Sequence, residues 1–118
     1  MKSTTRSTAR RSPDDRLDLV FGALSHRARR ALLTRLERGP CMVTELAQPF
    51  EMSLPAVSKH VRVLERAGLV ERTIDGRVHR CSLDPAPLRE AERWLAHKRA
   101  FWEQTLDALA RFVAGTRP

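Results

Sequence analysis

Met52-Ser53-Leu54-Pro55-Ala56-Val57-Ser58-Lys59-His60-Val61-Arg62-Val63-Leu64-Glu65-Arg66-Ala67-Gly68-Leu69-Val70 carries a helix start, a helical period and a helix stop in one run. Ser53 stands where an N-cap side chain accepts from an orphan amide, and Pro55 falls in the first turn, where no intrahelical donor is needed. Gly68 stands where a helix commonly ends in a left-handed residue. Val57, Val61 and Leu64 recur at helical spacing and form an apolar stripe. Ser58, Lys59, Arg62 and Arg66 fall off the stripe and make a cationic, hydroxyl-bearing face. A helix that is apolar behind and cationic in front suits the major groove of DNA.

Composition agrees with that reading. The chain has 118 residues, enough for one small domain, and a net charge of +8, which favours polyanionic partners. No run of about 20 apolar residues is available to span a membrane. The basic N-terminus lacks the apolar core of a secretory signal. Two cysteines, Cys41 and Cys81, are too few for a disulfide framework, so a reducing cytoplasmic compartment is expected. Aromatic residues are few and Tyr is absent, which argues against a stacking platform for single strands. No nucleophile–base–orienter set, glycine-rich phosphate loop or paired carboxylates point to an enzyme, and no cofactor is expected.

Outward from the central run, residues 1–11 read as a disordered basic arm with Lys2, Arg6, Arg10 and Arg11, and residues 12–115 as a single DNA-binding and dimerisation domain. Ser12-Pro13-Asp14-Asp15 starts a first helix that ends near Leu24. Ser25-His26 opens a second helix to about Arg38, stopped by Gly39-Pro40. Val43 to Gln48 forms a short third helix, and with the central run it makes a helix-turn-helix. Asp75-Gly76 lies between extended runs and signals a two-residue hairpin. As an Asp-Gly turn it would set Ile74 opposite Arg77, Glu71 opposite Arg80 and Val70 opposite Cys81, giving a two-stranded wing. Cys81 would then face the core, while Cys41 would sit in a turn open to solvent.

Asp84-Pro85-Ala86-Pro87 opens a last helix to about Ala114. Leu88, Ala91, Leu95, Trp102, Leu106, Leu109 and Val113 make one stripe, and Trp94, Phe101 and Phe112 a neighbouring one. The first helix can cover part of this surface, and a second copy of the chain is the simplest cover for the rest.

Ala23-Leu24-Ser25-His26-x-x-Arg29-Arg30, Val43-Thr44-Glu45-Leu46-Ala47, Ser53-x-Pro55-Ala56-Val57-Ser58-Lys59-His60-x-Arg62-Val63-Leu64 and Ala67-Gly68-Leu69-Val70 follow one another in an order that closely resembles ArsR-type winged helix-turn-helix repressors. The resemblance implies a mainly α fold of about five helices plus a two-stranded β-wing. It also implies a homodimer built on the first and last helices and a transcriptional repressor bound to a palindromic operator in double-stranded DNA. Metal-sensing members place cysteines around the segment that reads Val43-Thr44-Glu45-Leu46-Ala47 here, where none is present. The last helix holds Glu92, His97, Glu103 and Asp107 at spacings unlike those of the zinc-sensing members. The last helix, with Phe101-Trp102-Glu103 and Leu106-Asp107, resembles a non-metal-sensing branch of the family, with no metal ligands carried over and the effector unknown.

The expected DNA-binding set is Thr44, Ser53, Pro55, Ser58, Lys59, His60, Arg62, Arg77 and Arg80. Ser58 lets the helix approach closely, and Lys59 and Arg62 reach phosphate or a guanine edge. His60 lies at the edge of the buried stripe and either contacts phosphate or caps the packing beneath. The expected dimer interface is Leu17, Val20, Phe21, Leu95, Trp102, Leu106, Leu109 and Val113. The alternatives are an effector-switched repressor of the same fold responding to metal or thiol oxidation, and a protein-interaction module using the long apolar helix.

Overall fold

The computed structural model describes residues 2–5 and 11–115. Its first full element is α1 (Pro13–Leu24), capped by the Ser12 hydroxyl, which accepts from the Asp15 amide at 3.1 Å. Asp14 and Asp15 complement the positive end of the helix. α2 (Arg27–Leu36) follows at once, with His26 as its N-cap. It ends two residues before the expected Arg38, because the amides of Glu37, Arg38 and Gly39 close turns onto Thr34, Arg35 and Leu36.

The short strand β2 (Cys41–Met42) leads directly into α3 (Val43–Ala47). α4 (Leu54–Arg66) is the helix of the opening run, and Ser53 caps it by accepting from the Ala56 amide at 3.2 Å. Its end is a Schellman motif: the Gly68 amide donates to Glu65 O at 2.9 Å and the Leu69 amide to Leu64 O at 3.0 Å. Gly68 has φ +77°, the left-handed value that closure requires.

Leu32 and Leu36 from α2, Leu46 from α3, and Val57, Val61 and Leu64 from α4 form the core with Leu69, Val70 and Cys81. The apolar stripe of α4 therefore faces the other helices, and its polar side is turned outward.

Four strands, rather than two, make up the sheet, in the order β1-β3-β4-β2 and antiparallel throughout. β3 (Val70–Asp75) and β4 (Val78–Leu83) are the wing. β2 pairs with β4, and β1 (Lys2–Thr5) pairs with β3 in place of the first residues of a disordered arm. An unpaired edge of backbone donors and acceptors, as β3 would otherwise present, recruits such a strand. Arg6 and Arg10 of the expected arm lie outside the described residues.

The wing register also differs from the expected one. Asp75 stands opposite Val78, Ile74 opposite His79, Arg72 opposite Cys81, Glu71 opposite Ser82 and Val70 opposite Leu83. The two turn residues are thus Gly76 and Arg77. Only Gly76 has positive φ, at +62°, which fits a type II′ turn with glycine at its first central position. The Glu71–Arg80 and Val70–Cys81 pairings do not form, and neither does Ile74 with Arg77. Cys41 is likewise corrected: it lies buried in β2 directly opposite Cys81, not exposed in a turn.

α5 (Ala86–Gly115) has 30 residues and spans about 45 Å at about 1.5 Å per residue. The Asp84 carboxylate accepts from the Ala86 amide at its start. Arg16 of α1 donates through Nε to both Glu90 oxygens at 3.0 and 3.1 Å, and Phe21 meets Trp94 edge to face at 5.9 Å. Ala91 is buried at 4% exposure beside these ties, and every residue from Glu92 to Gly115 is exposed. Val20, expected at a dimer interface, is instead 1% exposed within the single chain, because its place in the helical period turns it inward.

Leu64→Ala should lower stability by about 2–5 kcal/mol, since the residue is wholly buried where α4 meets the core. Denaturant unfolding followed by circular dichroism measures it. A loss below about 1 kcal/mol would contradict the packing described.

Candidate nucleic-acid interface

The outward side of α4 presents Ser53, Leu54, Pro55, Lys59 and Arg62 to solvent, with Ser58 half-buried beside them. Ser53 already uses its hydroxyl as the cap. Leu54, which the sequence reading did not single out, is 44% exposed at the helix N-terminus. Three residues before Val57 and seven before Val61, it continues the apolar stripe, so the period points it inward and the sequence carries no signal of its exposure in the first turn.

Between α4 and the wing lies an open groove of about 280 Å³, lined by Met42, Val43, Thr44, Leu54, Ser58, Arg72, Arg77 and His79. It brings together Thr44, Ser58 and Arg77 of the expected set. Arg80 is exposed on β4 but does not line the groove. Arg77 sits at the wing tip beside Gly76.

Arg72 and His79 were not among the expected residues. The Arg72 guanidinium donates to Glu65 Oε1 through Nη2 at 2.6 Å and through Nε at 3.1 Å, and its Nη1 lies 3.2 Å from His79 Nδ1. Both side chains of the Glu65–Arg72 pair are largely shielded, at 14% and 16% exposure, so the pair is screened less than a surface one. It joins the recognition helix to both wing strands. An acidic residue near the end of a helix and a cation two residues into the next strand would have been the signal.

His60 is held from the other side. Its ring centroid lies 4.6 Å from that of His26, and its Nδ1 lies 3.3 Å from Arg29 Nη1. Burial, followed by the neighbouring His26, Arg29 and Lys59, holds the imidazole below its ordinary pKa of 6.5.

Burial pushes the Cys81 thiol up to about 11, and burial also raises that of Cys41. Such thiols are poor nucleophiles near neutrality. Among the described residues, no three His, Cys, Asp or Glu side chains converge as a metal site requires. No described helix is long and apolar enough to cross a membrane.

A helix-turn-helix followed by a cationic hairpin, with a groove between them, defines a winged helix-turn-helix of the nucleic-acid-binding class. A family model described as a helix-turn-helix domain matches residues 24–73. The chain is 37% identical over 103 residues to the HTH-type transcriptional regulator Rv2034 of Mycobacterium tuberculosis, covering 87% of this chain and 90% of that protein. It is 29% identical over 76 residues to the transcriptional repressor SdpR of Bacillus subtilis, covering 64% of this chain and 84% of that one. A crystal structure of an ArsR family transcriptional regulator superposes with a TM-score of 0.72 at 42% identity, covering 76% of this chain and 93% of that one. The chain belongs to the ArsR family of winged helix-turn-helix transcriptional regulators.

Neither thiol should react with a small disulfide reagent in the native protein at pH 7.5, and both should react after denaturation; rapid native reaction would contradict their burial. The sign of the Cys81 shift adds a pH dependence. A raised thiol pKa gives stability that is whole below about 8.5, the ordinary thiol value, and is lost as pH climbs toward about 11. Thermal melting should therefore fall over that range more steeply in wild type than in Cys81→Ala.

Proposed function

We propose that the protein acts as a homodimeric, sequence-specific repressor, including of its own gene, on a palindromic operator in double-stranded DNA of the cytoplasm. Its work is binding rather than catalysis. The observation that carries this reading is the outward face of α4, where Lys59 and Arg62 stand free beside a groove whose far wall is the cationic wing. In this reading α4 enters the major groove. Lys59 and Arg62 reach base edges or phosphates, and Ser58 allows close approach. Leu54 and Pro55 offer apolar contact of the kind a thymine methyl takes. The groove between α4 and the wing seats a stretch of phosphodiester backbone, with Arg77 and Thr44 on either side and Arg80 farther along β4. Ser53 contributes through its cap, which aims the helix amides outward.

The homodimer rests on α5. Leu95, Trp102, Leu106, Leu109 and Val113 are each about half exposed or more along one helix, an apolar surface too long to stand in water unpartnered. Phe21, with Leu17 beside it, continues that surface onto α1. A two-fold axis then presents two copies of α4 about one DNA turn apart, roughly 34 Å.

Selection from a random duplex pool should return an inverted repeat. Lys59→Ala and Arg62→Ala should each weaken binding to that duplex by about 1–3 kcal/mol with unchanged melting, and Arg77→Ala should lower the salt slope by about 1. If Lys59→Ala and Arg62→Ala both bind like wild type, the recognition face is misassigned. Leu106→Glu should shift sedimentation from dimer to monomer, and an unchanged dimer would remove α5 from the interface.

A further inference from the structure

We propose that Arg29 and His60 are a positioning pair that fixes the recognition helix against the end of α1, and that His60 acts on DNA only through that pair. The proposal rests on the DNA-binding reading above. Arg29 is shared by three elements. Its Nε donates to Ala23 O at 2.7 Å and its Nη2 to Gly22 O at 3.1 Å, capping the last carbonyls of α1. Its Nη1 turns the other way and meets His60 Nδ1 on α4 at 3.3 Å. A guanidinium has no acceptor and keeps its charge, so Nδ1 must be the acceptor and the ring proton resides on Nε2.

His26 closes the other side. Its own Nδ1 accepts from the Ala28 amide at 3.1 Å, which commits it as the cap of α2 and fixes the ring that packs against His60. The end of α1, the start of α2 and the middle of α4 therefore meet at one imidazole. His60 adjoins Lys59 and is two residues from Arg62. A small turn of α4 about this point re-aims both exposed cations, because long side chains amplify a helix rotation. α1 is also the helix tied to α5, so the pair links the frame that carries the second copy to the surface that meets DNA.

The groups facing His60 are His26 and Arg29 on α2 and Lys59 on its own helix, all cationic or able to become so. Protonating Nδ1 would set a donor against the Arg29 donor and add a charge among those three. The pair is therefore still favoured at pH 6.5 and is lost only as pH falls through the His60 pKa, which the fold holds below that ordinary value.

Isosteric substitution separates this role from direct contact, since an Asn amide oxygen falls near the place of Nδ1 and a Gln amide near that of Nε2. The probe is the duplex that wild type enriches from a random pool. His60→Asn should bind it within about twofold of wild type, while His60→Gln and His60→Ala should lose at least about tenfold, the lower end for one hydrogen bond to a charged group. Relative to His60→Asn, wild type should lose affinity as pH falls from 7.5 to 5.5. Binding restored by Gln but not by Asn, Asn no better than Ala, or Ala equal to wild type each overturns the proposal. An affinity rise at low pH that disappears in His60→Asn does so as well, because it would mark an imidazolium on phosphate.

The pair is also read without DNA, from the imidazole titration of His60 by NMR. Its midpoint should lie below 6.5 in wild type and move upward in Arg29→Met. An unmoved midpoint overturns the pair whatever the duplex shows. If wild type retains no duplex at all, the DNA reading fails and the positioning role with it, while the titration still reports whether Arg29 holds His60.

Discussion

Burial of the Val57–Val61–Leu64 stripe is the constraint from which the rest follows. All three side chains are fully removed from water, each worth roughly 1.5–3 kcal/mol of transfer free energy. No other rotation of α4 buries them, so the helix has one stable roll about its axis. That roll turns Lys59 and Arg62 outward without any interaction of their own to hold them there. The cationic face is thus specified by what lies behind it. α2 and α3 supply the opposing apolar surface through Leu32, Leu36 and Leu46, and the chain reversal at Gly68 brings Leu69 and Val70 into the same core.

Roll alone leaves the wing undetermined, and a second kind of interaction sets it. Glu65 and Arg72 lie on opposite sides of the Gly68 reversal, and their shielded ion pair locks the strand direction relative to the helix. The net contribution of such a pair to stability is small, because desolvation offsets attraction, but removing one partner leaves a shielded charge and costs several kcal/mol. Its main effect is therefore geometric. Arg72 also reaches His79 on the neighbouring strand, so one guanidinium fixes both walls of the wing against α4. Arg29 plays the matching part at the other end, with two contacts on α1 and one on α4.

The helices were legible because their signals are local. Ser12, Ser53 and Gly68 act within a few residues, and periodicity names the inward faces. The second helix needed one adjustment at its end, where Gly39-Pro40 is preceded by a turn that the stop signal alone does not count. The wing was legible as a hairpin but not in register: Asp75-Gly76 fits one turn, Gly76-Arg77 fits another, and the choice depends on which strand residues must face the core. Choosing the second brings Cys81 opposite Arg72, and the added strand β2 sets Cys41 against Cys81, a non-local pairing with no sequence signature. In the candidate site, the outward polar residues of α4 followed from the period, and the exposed Leu54 did not. Arg29, Glu65, Arg72 and His79 did not, because a charged residue that positions another looks in sequence like one that is merely solvated.

The exposed length of α5 connects these local arguments to concentration. Phe112 is 68% exposed and Trp102 and Leu106 are each 60% exposed, on a helix whose first turns are tied to α1 through Arg16–Glu90 and Phe21–Trp94. A second copy covering this surface stabilises the folded state by mass action, and the gain grows with protein concentration. In the proposed two-fold complex, operator affinity depends on the same surface, since each half-site alone meets only one α4 and one wing. Folding of the outer helix, pairing of copies and occupancy of DNA are then linked equilibria. On the proposed reading of a two-fold repressor, pairing through α5 ties DNA occupancy to the protein's own abundance: below the concentration that pairs α5 it leaves DNA, and above it both half-sites fill together.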